Sequence, residues 1–131
     1  MKRNLQFGTT ITPGNTPGAA AGNGLIIDRS NYRSALLGLA VATVAASSSI
    51  VAKVQHGALS DGSDMADYKP DGTNVATTAT LSTSNTNTVL DVDLSGAKQY
   101  MRLVTSTTGT APSFSSYVAL GDAQYTEGFN D

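Results

Sequence analysis

The groups able to do chemistry are few in this chain, and they are spread apart. The single histidine, His56, follows Val54 near a strand end and precedes Gly57. A nucleophilic triad needs a base beside a nucleophile and a carboxylate that orients the base. Serines and aspartates are plentiful, but no Gly-x-Ser-x-Gly elbow occurs, so His56 reads as a strand-end or interface histidine. Asp91 and Asp93 stand two apart on one strand face, about 7 Å from each other. Glycosidic acid–base chemistry uses paired carboxylates, but ones that converge from different strands on a cleft with aromatic platforms. With five Tyr, three Phe and no Trp in the chain, the pair reads as a solvated face. Asp61, Asp64 and Asp67 form an oxygen-rich loop of the kind calcium uses, yet the sixth position is not Gly and the twelfth is not Glu. That loop reads as an acidic hairpin turn. No cysteine is present to staple the fold, hold a metal or attack a substrate. No Walker or dinucleotide fingerprint appears either. The expectation is a protein without catalytic residues, metal or cofactor, and not an enzyme.

The elements that carry these groups follow from composition and spacing. The 131 residues suffice for one domain. Only 14% are charged, against an average near 25%; 17 Thr, 17 Ala, 14 Ser and 13 Gly take their place. Between Arg33 and Lys53 lie 19 uncharged residues, but Ser47-Ser48-Ser49 interrupts them and Ala, Gly and Thr dilute the rest. A membrane helix needs about 20 strongly apolar residues. The stretch therefore reads as two buried strands joined by a small-residue turn. Leu37, Leu39 and Val41 alternate in the first; Ile50, Ala52 and Val54 alternate in the second. Asp61-Gly62 and Asp71-Gly72 mark turns. Residues 73–83 favour a strand, with Val75, Ala79 and Leu81 as its apolar side. Leu90, Val92 and Leu94 point one way while Asp91 and Asp93 point the other. Met101 and Leu103 then face inward with Arg102 outward, and Val118 and Leu120 close the pattern. The fold class is all-β, a compact antiparallel β-sandwich or jelly-roll-like barrel with an extended N-terminal arm.

That arm spans residues 1–31, the body 32–122 and a short tail 123–131. The arm contains Pro-Gly twice, has too few apolar anchors for a core of its own, and reaches roughly 100 Å if stretched. Its charge sets it apart. Through residue 33, Lys2, Arg3, Arg29 and Arg33 stand against Asp28 alone, a net +3; the remainder carries four basic and nine acidic groups, a net −5. A basic arm on an acidic body is the pattern of an interaction tail, and an acidic body with few aromatics argues against nucleic acid as partner. Tyr125 and Phe129 in the tail are candidate interface rings.

Three passages carry a family likeness. Val51-Ala52-Lys53-Val54-Gln55-His56-Gly57, followed by Asp61-Gly62-Ser63, resembles a strand and turn written V-x-V-Q-x-S-x-D-G. Residues 92–104, from Val92-Asp93-Leu94-Ser95-Gly96 through Lys98, Tyr100 and Arg102, resemble D-L-S-G-x-K-R-Y-x-R-x-V. Val118-Ala119-Leu120-Gly121 resembles the closing strand. These are passages of small head decoration (cement) and related capsid-associated structural proteins of tailed bacteriophages. Members often place Trp after the Asp-Gly turn, where this chain has Met65-Ala66. The resemblance implies a virion protein made in the host cytoplasm. It would sit on the outer surface of the capsid, bind the major capsid protein and stabilise the head, with no membrane and no nucleic acid as partner. It also implies self-association, as a homotrimer, since a small Ala/Thr-rich body gains by burying surface against copies. The docking residues it points to are Lys2, Arg3, Leu5, Phe7, Ile11, Leu25, Ile26, Ile27, Arg29 and Arg33. The alternative is a carbohydrate- or receptor-binding module of a tail or fibre, using Tyr68, Tyr100, Tyr117 and Tyr125. A third reading is a small hydrolase using His56.

Overall fold

A computed structural model describes residues 10–13, 22–30, 32–110 and 112–123. Period-two alternation becomes two antiparallel sheets. The strands are β1 (Thr10–Pro13), β2 (Ile27–Asp28), β3 (Tyr32–Thr43), β4 (Ser49–Gly57), β5 (Ala66–Asp67), β6 (Thr86–Asp93), β7 (Tyr100–Thr108) and β8 (Ser113–Ala123). Sheet A runs β1-β8-β3-β6 and sheet B runs β2-β7-β4-β5. The chain is an all-β sandwich, and the inward side chains of both sheets share one core. Leu37, Val92, Val118 and Leu120 from sheet A meet Val54, Met101 and Leu103 from sheet B, and all are buried. A second cluster joins Leu39 and Val41 to Ile50, Ala52 and Leu81. Burial of a Leu- or Val-sized side chain contributes roughly 1.5–3 kcal/mol, so these alternating positions hold the sheets face to face.

The uncharged stretch forms β3 and β4, which lie in different sheets. Ser47, at φ 61°, turns the chain between them. Ser48 is buried there, and its hydroxyl accepts the Thr110 N–H at 2.9 Å, tying this corner to the crossing from β7 to β8. No helix of the described residues is long and apolar enough to cross a membrane.

Residues 73–83 behave differently from their apolar pattern. The segment makes isolated bridges to β4 at Thr77 and Leu81, and it buries Ala76, Thr78 and Leu81, while Ala79 is exposed. Hydrogen bonding sets this register. The Thr78 N–H donates to Ala52 O at 2.8 Å, and the Thr78 hydroxyl accepts the Ala52 N–H at 3.1 Å. A threonine holds the inward position because it completes the ladder, which hides the periodicity.

The described parts of the expected arm are extended and lie along the edges of this same body. Residues Thr10, Ile11, Thr12 and Pro13 pair with Leu120, Ala119, Val118 and Tyr117 of β8. Residues 22–28 follow β7: the Gly24 N–H donates to Leu103 O at 2.7 Å and the Thr105 N–H to Gly22 O at 2.9 Å. A proline is tolerated in such an edge strand because the outer side of its backbone needs no partner.

Candidate functional site

His56, Asp61, Asp64, Asp67 and Asp93, singled out in the sequence, each hold local structure. His56 Nδ1 accepts the Lys98 N–H at 3.1 Å, which places the ring proton on Nε2. Its ring centroid stands 4.8 Å from that of Tyr68. Burial, and then the positive charge of Lys98, hold the imidazole below its usual pKa. Tyr68 is buried in the core and its hydroxyl donates to Asp93 O at 2.5 Å; burial pushes that phenol up. Asp64 accepts the Ala58 and Leu59 N–H groups at 2.8 and 3.2 Å, and Asp61 accepts the Ser63 N–H at 2.9 Å. Asp67 pairs with Lys53 at 2.9 Å and accepts from Gln55 at 3.0 Å. The three loop aspartates thus face separate donors, and among the described residues no three ligating side chains gather for a metal. Asp93 accepts the Ser95 N–H at 2.9 Å, while Asp91 is exposed on the same strand. Of the candidate platform tyrosines, the described ones fall on different surfaces: Tyr68 inside, Tyr100 on β7 of sheet B and Tyr117 on β8 of sheet A.

The docking residues read from the sequence divide into three groups. Lys2, Arg3, Leu5, Phe7, Tyr125 and Phe129 lie outside the described residues, and Ile11 sits opposite Ala119 in β1. Ile27 and Arg29 belong to the body. Ile27 is buried in the core. The Arg29 guanidinium donates to three carbonyls: Lys98 O at 3.0 Å, Tyr32 O at 2.9 Å and Ala97 O at 2.7 Å. Such a planar fork suits several fixed acceptors at once. Leu25 and Ile26 are exposed, and so are Arg33 and the nearby Leu59. Ile26 lies over Gly62, where a Cβ would come within 2.8 Å of Ile26 Cδ1.

The two outer faces of the sandwich differ in kind. On sheet B, Arg102 donates to Gln55 Oε1 through Nε and Nη2 at 3.0 and 2.8 Å. Gln55 in turn donates to Asp67, which Lys53 also holds. That face is a solvated polar network. On sheet A, cross-strand rows read Tyr117–Gly38–Val89 and Ala119–Leu36–Asp91. Leu36, Val89 and Tyr117 are 41%, 57% and 40% exposed. Gly38 is glycine because the Tyr117 ring lies across it; a Cβ there would collide with ring carbons Cε1 and Cζ. Sequence reasoning passed over Leu36 and Val89 as candidates. The signal was present, since Val89 shares the outward parity of Asp91 and Asp93.

No family model matches the chain, and no curated protein matches it. Its structure is similar to the crystal structure of SPBc2 prophage-derived protein YomS, with a TM-score of 0.53 and 14% sequence identity, covering 87% of this chain and 93% of that one. At that identity the likeness is one of fold.

Proposed function

We propose that the chain is a structural protein of a tailed-phage particle that binds and stabilises the capsid by docking on the major capsid protein, without catalysing a reaction. The fold likeness to a prophage-derived protein, extending over nearly the full length of both chains, carries this reading. Two further features support it. The polar groups His56, Asp61, Asp64, Asp67 and Asp93 are occupied in turns and strand ends, as a binding body requires. Exposed apolar residues, Leu25, Ile26 and Leu59 at one edge and Leu36, Val89 and Tyr117 on sheet A, offer surface to a partner. In this reading the outer surface of the virion is the place of action, and Lys2 and Arg3 add charge attraction at the docking end.

The test is co-sedimentation of the purified chain with empty shells assembled from the major capsid protein of the same genome. Wild-type chain pellets with the shells and raises their resistance to heat. Leu25→Asp with Ile26→Asp, or Lys2→Ala with Arg3→Ala, lowers the pelleted fraction while leaving the chain folded. A wild-type chain that stays in the supernatant refutes the proposal.

A further inference from the structure

Strand β6 is an edge strand, and residues 70–77 flank it with a groove along Leu90–Asp93. It pairs with β3 on one side, and no other described strand pairs with it. The Leu94 N–H donates to Arg33 O at 2.7 Å, and this fixes the direction of its neighbours. Even-numbered residues of β6 bond to β3, so the backbone groups of Asn87, Val89 and Asp91 face away. The carbonyl of Asp93, of the same parity, is taken by the Tyr68 hydroxyl, which agrees with that direction. Edges are normally blunted by proline, lysine or a bulge. Thr86-Asn87-Thr88-Val89-Leu90-Asp91-Val92-Asp93 has no proline or lysine and its register with β3 is unbroken, so its charges are Asp91 and Asp93 at the far end.

The strand is complementary to itself. We propose that β6 is a homodimer interface, in which a second copy of this chain adds its own β6 antiparallel across a two-fold axis at Val89. In that register Val89 faces Val89 of the second copy. Asn87 then faces Asp91 of the second copy, and Asp91 faces Asn87, so each carboxylate meets an amide donor and none meets another carboxylate. On the opposite side Leu90 faces Thr88 and Val92 faces Thr86. Other registers do worse. Centring on Asp91 sets that carboxylate against its own copy, and neighbouring registers place Val89 against Asn87 or Asp91. The pairing joins two sheets A into one continuous eight-stranded sheet and covers Val89, among the described residues the most exposed of the large hydrophobics. It is isologous, so it closes on itself as a pair. A pair takes the place of the trimer that the phage resemblance implies. The pairing does not rest on the capsid reading, because its test uses the purified chain alone.

Sedimentation equilibrium of the full chain tests it, with circular dichroism confirming the fold of each variant. Wild type is a dimer at high micromolar concentration. Asn87→Asp sets like charges opposite each other twice per dimer and raises the dissociation constant by about five- to tenfold. Adding Asp91→Asn to that variant exchanges the partners and restores wild-type affinity. Val89→Lys, which points a charge from an exposed position into the two-fold contact, gives a monomer. A monomeric or trimeric wild type overturns the proposal. So does a dimer indifferent to Val89→Lys, or an Asn87→Asp effect that Asp91→Asn fails to reverse.

Discussion

Replacing Arg29 separates a structural role from a docking one. Its guanidinium bonds to carbonyls at both ends of a corner: Tyr32 O at the start of β3, and Ala97 O and Lys98 O in the turn from β6 to β7. Arg29→Ala removes all three donors and leaves Ala97 O and Tyr32 O, both reached in partly buried surroundings, to find water. A charge-assisted bond contributes about 1.5–3 kcal/mol when well shielded and nearer 1 kcal/mol when water competes. The group is half-buried, so the loss comes to about 3 kcal/mol. Arg29→Lys keeps the charge but spans only one of the three acceptors, and it loses about 2 kcal/mol. Equilibrium urea denaturation followed by circular dichroism reads both. With the slope of a small domain, the alanine variant's midpoint moves down by roughly 1–2 M. If Arg29→Ala unfolds within about 0.5 kcal/mol of wild type, the corner clamp is not what the geometry says. If it keeps its stability yet loses binding to capsid shells, Arg29 is a docking residue, as its place in the basic arm suggested.

Three further outcomes follow from single contacts. Gly38→Ala drives the Tyr117 ring off the sheet; it costs about 1–2 kcal/mol despite the better strand propensity of Ala, and becomes stabilising by about 0.5 kcal/mol in a Tyr117→Ala background, as a double-mutant cycle by urea denaturation will show. His56 titrates in the fold below its usual 6.5, so the unfolded chain takes the proton first. Stability therefore declines as pH falls below about 6.5 and levels once the folded ring is protonated. His56→Gln removes that slope from pH-dependent unfolding. Asp71 acts in a lower window, since the Asn74 and Thr73 N–H groups hold its carboxyl at about 2. Its contribution is present above 3.8 and disappears as pH falls toward about 2.

What the sequence disclosed was the part governed by alternation. In β6, β7 and β8 the inward positions are mostly apolar and alternate with outward ones, so Val92, Leu103 and Val118 were legible as core, while outward Val89 and Tyr117 and inward Thr105 and Ser116 break the pattern. Segment 73–83 was misread because its inward positions include Thr78, chosen for its hydroxyl rather than its hydrophobicity. The extended character of residues 10–13 and 22–28 was legible from their Pro-Gly and small residues. Their pairing with β8 and β7 was not, because it is made by backbone groups that every residue carries. For the same reason Arg29 showed only its charge. Two of its three acceptors are carbonyls some seventy positions later, and a linear chain does not announce them.

The two outer faces would cost a partner different amounts to cover. Covering sheet B means drying the Arg102–Gln55–Asp67–Lys53 network, whose charges keep their worth only if a partner replaces each lost water bond. Covering sheet A means drying Leu36, Ala40, Val89, Ala119 and one face of Tyr117, which gain about 25 cal/mol per Å², and also Asn87 and Asp91, which must keep polar partners. The edges point the same way. Residues 22–28 occupy the β7 edge of sheet B and β1 occupies the β8 edge of sheet A, so the described strands of the expected arm take two of the four edges. Of the edges left, β5 offers two residues and β6 offers eight. The low-charge face and the long open edge therefore adjoin at Val89. An assembly using both there dehydrates the apolar row of Leu36, Val89 and Tyr117 while giving the outward backbone groups of Asn87, Val89 and Asp91 partners.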